Sequence, residues 1–287
     1  MTRFIFESDI PSWSNPSVLA SRLDRWTSAG LDTVMLQVDD GHGATWPTQA
    51  WNADQRVCHD ALKIAVDAIH ERGMSAIACV SLAVFNDSFS HYPELKLGNF
   101  QFAFYDFWHA EFRSKRLQML VDLATACDLD GIALDYLRTG REAIGEDAPA
   151  ESVLMSWLQQ VRAALSPGVP LLSVHHSSYA VTPKEGVNLS AWSESGLIAG
   201  AVLFNYSLVF PAAHVVPTPT TPIWALIGNY DWTNNQAVIR SGLSVAQTWR
   251  RVQRELWPDG IGVYLANLFT DEQAKSVRNT QRMVRSL

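Results

Sequence analysis

The stretch Asp130-Gly131-Ile132-Ala133-Leu134-Asp135-Tyr136-Leu137-Arg138 places a carboxylate, a phenol and a guanidinium directly behind a short apolar run. Such a run reads as a buried strand, and polar groups at the carboxyl end of a buried strand are where parallel α/β proteins keep their chemistry. Asp135 follows Leu134 with no turn residue between, which makes it the first candidate for a catalytic carboxylate; the plainer alternative is an aspartate that caps the next loop. Other apolar runs end in similar groups: Glu7, then Asp39-Asp40-Gly41-His42, His175-His176, Asn205-Tyr206, Asp231 and Asn267. Carboxylates and amides gathered in one place suit cleavage of a glycosidic bond. One carboxyl protonates the leaving oxygen and a second group attacks or activates water. Trp46, Trp51, Tyr136 and Tyr230 offer flat faces for the rim of such a site.

The elements that must position these groups alternate regularly. Strands are expected at Arg3–Glu7, Thr33–Val38, Ser75–Leu82, Gly131–Leu134, Leu171–Val174, Ala201–Phe204, Ile223–Ile227 and Gly262–Ala266. Helical periodicity lies between them. A helix opens at Asn15-Pro16 and ends at Gly30; others span about Cys58 to Arg72, His109 to Cys127 and Glu151 to Leu165. Asn188 or Ser190 caps a short one, Ser244 opens another and Asp271 caps the last. Ser207 to Pro222 is proline-rich without helical period and replaces the helix after strand six. Eight β-α units in one stretch of this length predict a single (β/α)8 barrel over residues 1–287. A doubly wound open sheet would carry a glycine-rich turn after strand one, where this chain has Ser8-Asp9-Ile10-Pro11-Ser12-Trp13.

Alternation along the strands refines the site. Gln37 shares a face with Asp39, and Ala133 with Asp135. Alternate strands supply the same layer of a barrel, so Asp39 and Asp135 are expected to face each other, with Asp40 in the loop. Two aspartates on alternate strands leave a wide gap, which favours inversion at the anomeric carbon. For Glu7 the alternative is a salt bridge with an arginine such as Arg138. His175 and His176 point to opposite faces and cannot clamp one ion; His175, in phase with Ser173, is the one expected to bond substrate. The spacing predicts no metal and no cofactor, and there is no Gly-x-Ser-x-Gly elbow.

Composition limits the partners. Net charge is −7, with 18% charged residues, so nucleic acid is not an expected partner. No apolar run is long enough to span a membrane. Eleven Trp and seven Tyr serve both a core and sugar-ring stacking. Cys58, Cys79 and Cys127 cannot all pair and read as buried free thiols. The opening Met1-Thr2-Arg3-Phe4-Ile5-Phe6-Glu7 already reads as a strand, so the expected location is cytoplasmic, or secreted or periplasmic if a signal peptide has been removed.

Four stretches resemble the bacterial glycosyl-hydrolase-like family ten barrels, glycosidases related to the denuded-peptidoglycan hydrolases. They are Ala29 to Val38, Ile69 to Met74, Asp130 to Arg138, and Trp192 to Tyr206. The third is similar to the family's Asp-Gly-Ile-x-Leu-Asp-Tyr-x-Arg motif. The resemblance implies a metal-free glycoside hydrolase or transglycosylase acting on a poly- or oligosaccharide. It implies Asp135 as catalytic carboxylate and Tyr136, Arg138 and Tyr206 as site residues. The chain departs from the family at Asp39, where arginine is usual, and at Leu203-Phe204, which replaces Pro-Met. Asp39 or Asp40 is the expected second carboxylate, ahead of Glu7 and Asp231. Trp46, His175, His176, Asn205 and Asn267 complete the expected substrate contacts. A carbohydrate-binding barrel without turnover is the second class of function, and a metal-dependent barrel hydrolase the third.

Overall fold

The computed structural model describes residues 1–58, 60–85, 92, 96–97, 103–137, 150–176, 186–205, 221–233 and 236–284. Eight parallel strands close into a barrel: β1 (Thr2–Glu7), β2 (Thr33–Asp39), β3 (Ser75–Ser81), β4 (Gly131–Asp135), β5 (Leu171–His176), β6 (Gly200–Asn205), β7 (Ile223–Gly228) and β8 (Gly260–Tyr264). The ring is sealed where β1 pairs with β8, from Thr2 against Gly260 to Phe6 against Tyr264. Helices follow the strands as α1 (Pro16–Ser28), α2 (Ala61–His70), α3 (Ala110–Ala126), α4 (Ala150–Ala164), α5 (Leu189–Glu194), α6 (Gly242–Leu256) and α7 (Asp271–Val284). The proline-rich segment after β6 falls mostly at 206–220, outside the described residues. Among the described residues no helix is long and apolar enough to cross a membrane.

Local chemistry explains the boundaries. Asn15 accepts a hydrogen bond from Val18 N at 3.3 Å with Pro16 behind it, and the chain leaves α1 through Gly30 at φ 79°. Asn188 caps α5 through Ala191 N. Two expected starts move, by three residues and by one: Ser241, not Ser244, caps α6, and Thr270, not Asp271, caps α7 by accepting from Gln273 N. The last strand begins and ends two residues early, because its register is fixed by β1. After β3 a small antiparallel patch (Val84–Phe85, Lys96–Leu97, Ala103–Tyr105) stands at the mouth, and after β7 a hairpin (Tyr230–Thr233, Gln236–Ile239).

The core has two compartments, as strand alternation requires. Outward residues such as Ile5, Leu36, Val80, Leu134 and Leu203 pack against the helices, where Trp13, Trp26, Trp157, Trp192 and Trp249 are fully buried. Much of the tryptophan therefore serves the outer core. Inward residues fill the bore: Phe4, Phe6, Met35, Ile77, Cys79, Ala133, Leu172, Val174, Val202 and Leu226. Large rings meet glycines there. A Cβ on Gly262 would sit 2.6 Å from the Phe4 ring, and one on Gly260 2.8 Å from Trp224. Gly262→Ala is expected to destabilise the fold by about 1–3 kcal/mol through overpacking. Urea unfolding measures it, and Phe4→Leu in the same chain should recover part of the loss.

Candidate active site

The carboxyl ends of the strands define one mouth, and burial singles out what reaches it. Gln37 is the one residue of β2 that is not buried, Asp135 the one residue of β4 and Tyr264 the one residue of β8; Phe204 on β6 is half-buried too. All four lie on the inward phase of even-numbered strands, so they form a single barrel layer. Asp135 on β4 stands opposite Tyr264 on β8, and Gln37 on β2 opposite Phe204 on β6. The odd strands supply the buried floor beneath: Phe6, Cys79, Val174 and Leu226. Burial, and then the charge of Asp135, push the Cys79 thiol well above its ordinary range, so it stays protonated under the site.

The geometry at Asp135 is specific. It pairs in register with Ser81 on one side and Val174 on the other. Its Oδ1 accepts a hydrogen bond from the amide of Tyr136 at 2.8 Å. Tyr136 takes φ 53°, a left-handed conformation that costs an ordinary residue roughly 1–2 kcal/mol. Strain of this kind collects where a site needs a fixed backbone. The Tyr136 side chain, out of phase with Asp135, packs against the outer core.

The expected partner of Asp135 is not where alternation put it. The β2–β3 register shifts between Gln37, which pairs with Cys79, and Asp39, which pairs with Val80. Val38 is an extra residue, a bulge that flips the phase of everything after it. Asp39 therefore faces outward and is fully buried, with Arg116 Nη1 of α3 donating to it at 2.7 Å and Gly41 N at 2.9 Å. Gln37 holds the place in Asp135's layer that had been expected of Asp39. Burial pushes the Asp39 carboxyl up, against the pull of Arg116. The guanidinium also lies over the Trp51 ring at 4.0 Å.

The other candidates are placed as follows. Glu7 is out of phase with Phe4 and Phe6, so it too faces outward; it is buried against Arg22 Nη1 at 3.0 Å, where Arg138 had been expected. Burial raises its carboxyl, opposed by Arg22 and the Asp9 amide. Asp40 lies in the loop as expected, clasped by Arg56 at 2.8 and 3.1 Å, with His42 Nδ1 at 2.9 Å. Burial acts against its charge, but the bonds and charge of Arg56 and His42 outweigh it and hold the carboxyl low. Trp46 is buried under α3, its Nε1 donating to Met119 O, and is not a rim residue. Trp51 is likewise buried. His175 does share a face with Ser173, its hydrogen-bond partner, but that face is the outer one, beside Trp192. Asp231 pairs with Arg240 in the hairpin after β7. Asn267 is exposed in a turn beyond β8, since that strand ends at Tyr264. Arg138 and Tyr206 lie outside the described residues, and of His176 and Asn205 only the backbone is described. Of the cysteines only Cys79 is buried; Cys58 is exposed and Cys127 half-buried.

Sequence reasoning missed Phe204 and Tyr264 as lining residues and took Gln37 only as a marker of phase. A correct strand-eight boundary would have found Tyr264. It also missed the buried Asn229–Gln273 pair, which fixes the ends of β7 and β8: Asn229 Oδ1 accepts from Leu265 N at 2.6 Å, and Gln273 Nε2 donates to Asn229 O at 3.1 Å. Among the described residues no three His, Cys, Asp or Glu side chains are grouped as metal ligands are.

No family model matches the chain, and no curated protein is similar to it in sequence. Solved structures share its fold. The glycoside hydrolase domain of PgaB (BpsB) from Bordetella bronchiseptica is 13% identical, with TM-score 0.72 over 98% of each chain. Alpha-L-fucosidase isoenzyme 2 from Paenibacillus thiaminolyticus is 14% identical with TM-score 0.69; the match covers 99% of this chain and 49% of the fucosidase, so this chain spans about half its length. The chitinase RmChi1 from Rhizomucor miehei is 12% identical, with TM-score 0.64 over 98% of this chain and 100% of that one. At these identities the likeness shows the fold alone, a (β/α)8 barrel that this chain has in common with these glycoside hydrolases.

Two outcomes follow from the ion pairs around the mouth. Arg116→Ala leaves Asp39 buried without its partner and is expected to cost about 3–5 kcal/mol in urea unfolding, whereas Arg116→Met with Asp39→Asn should cost much less. Asp40 gives a pH signature. Its carboxyl is held below the ordinary 3.8, so its contribution is full above that value and is lost as pH falls through the lower folded value. The stability gap between wild type and Asp40→Asn should hold down to about pH 4 and shrink as pH falls further. A gap independent of pH would contradict the assignment.

Proposed function

We propose that the chain is a glycoside hydrolase acting on a poly- or oligosaccharide, with Asp135 as the carboxylic acid that protonates the glycosidic oxygen. The observation that carries this reading is the accessible layer at the mouth. Among the described residues Asp135 is the one carboxylate on the inward face of the barrel strands, and it shares its layer with an amide and two aromatic rings. A sugar is amphipathic in the same way: its C–H faces suit Phe204 and Tyr264, and its hydroxyl edges suit Gln37 and Asp135. The glycosidase-like fold and the Asp130 to Arg138 motif support the same reading, and the motif supports kinship with the family ten barrels.

As the leaving oxygen takes the Asp135 proton, positive charge develops at the anomeric carbon and a second group must attack or activate water. Asp39 and Glu7 face away from the bore, so the wide two-aspartate gap that favoured inversion is not formed by these residues. The same observation favours a second reading, a carbohydrate-binding barrel without turnover, because a fold does not dictate activity.

Hydrolysis of a glycan panel separates the two. Under the first reading wild type releases reducing ends, and Asp135→Asn, folded by circular dichroism, loses at least about two orders of magnitude in rate. Near-normal turnover in that variant would remove Asp135 from the chemistry. Binding of glycans with no turnover by wild type would move the protein to the second reading.

A further inference from the structure

Asp135 has a task in this reading, and Gln37 in the same layer does not. We propose that Gln37 is a substrate-binding residue that holds a ring hydroxyl of the sugar whose glycosidic bond meets Asp135, and that Ser81 is the positioning residue that sets its amide. The proposal rests on the glycosidase-like reading and names which part of the sugar is recognised.

Gln37 is the single accessible residue of an otherwise buried strand, which places its carboxamide in the open part of the bore. Its Nε2 donates to Ser81 Oγ at 3.1 Å. Ser81 is fully buried and pairs in register with Asp135 on the next strand. With Nε2 tied to Ser81, Oε1 is turned the other way, and it has no hydrogen-bond partner among the described residues. A carboxamide oxygen accepts up to two hydrogen bonds, so the site presents an open acceptor one even strand away from the acid. The backbone under this pair is held as well: Ser81 O accepts from Arg116 Nη2, the guanidinium that also binds Asp39 beyond the bulge.

The chemistry of the group narrows the ligand. A carboxylate at position 37 would repel Asp135, and a cation there would hold Asp135 ionised, unable to give a proton. A neutral amide does neither, and its oxygen accepts from a neutral donor such as a ring hydroxyl. The hydroxyl next to the anomeric carbon is the one whose hydrogen bonds strengthen as charge develops there, so a contact to it favours the transition state. Phe204, opposite Gln37 across the bore, leaves an apolar wall for the other side of the ring.

The test pairs two variants with two substrates. Gln37→Leu keeps the bulk and removes the amide; Ser81→Ala frees the amide to turn. Each is assayed on the 4-nitrophenyl glycoside that wild type turns over best and on its 2-deoxy analogue. On the parent glycoside Gln37→Leu should lower kcat/KM about 10- to 100-fold, the worth of one hydrogen bond at a buried reacting centre, and Ser81→Ala by a smaller factor in the same direction. On the 2-deoxy substrate both variants should stay within about twofold of wild type, because the hydroxyl they serve is absent. Equal losses on both substrates, or no loss on either, would overturn the proposal, since a merely structural role moves both alike. If wild type turns over no glycoside, the hydrolase reading fails separately. The subsite is then decided by saturation-transfer NMR with methyl glycosides: signals that weaken in Gln37→Leu support it. Signals unchanged in the variant, or missing with wild type, overturn it.

Discussion

The mouth of this barrel depends on the Asp39–Arg116 ion pair. Both side chains are fully buried, and a charge buried alone costs several kcal/mol, so each requires the other. Arg116 comes from the middle of α3, on the outside of the barrel. The pair therefore pins α3 to the end of β2, and through Ser81 O to the end of β3. The Trp51 ring closes over the guanidinium and ties the loop after β2 to the same point. Without the extra residue Val38 the carboxylate would not reach that side of the sheet. Bulge, aspartate and arginine are one device that fixes the tops of two neighbouring strands.

That device decides what the bore contains. By sending Asp39 outward it leaves Gln37 as the last inward residue of β2, in the layer with Asp135, Phe204 and Tyr264. Glu7 is taken out of the bore in the same manner by Arg22 of α1. Carboxylates next to the mouth are thus used twice over to fasten helices to strand ends, and Asp135 is left as the inward acid among the described residues. Its own backbone is held by the register with Ser81 and by the strained turn at Tyr136. A site assembled from four different strands depends on where each strand ends, and these buried pairs fix the ends of β1, β2 and β3.

The barrel was legible in the sequence because its signals are local. Apolar runs broken by capped amphipathic helices repeat along the chain, and burial on both faces of a parallel sheet makes those runs continuous. The place of Asp135 at the end of an apolar strand was legible for the same reason, since Leu134 leads into it without a break. Asp39 was misplaced because alternation predicts facing only while the strand stays regular, and nothing in Gln37-Val38-Asp39 marks the bulge. The partner that Asp39 meets beyond it lies far along the chain, in Arg116. Glu7 was half legible: an arginine partner was expected, but Arg22 rather than Arg138 supplies it. Tyr264 was hidden by a boundary error at β8, whose register is set by pairing with β1 at the other end of the sequence. Trp46 and His175 show that an aromatic or imidazole near a strand end is as readily buried on the helix side as displayed at the mouth.

Under the proposed function, the layer of Gln37, Asp135, Phe204 and Tyr264 holds and cleaves a sugar. A crystal structure of Asp135→Asn soaked with an oligosaccharide that wild type binds tests it most directly. A glycosidic oxygen is expected within hydrogen-bond reach of the substituted side chain, with the ring between Phe204 and the Gln37 amide. A sugar bound outside the bore, with that layer untouched, would contradict it.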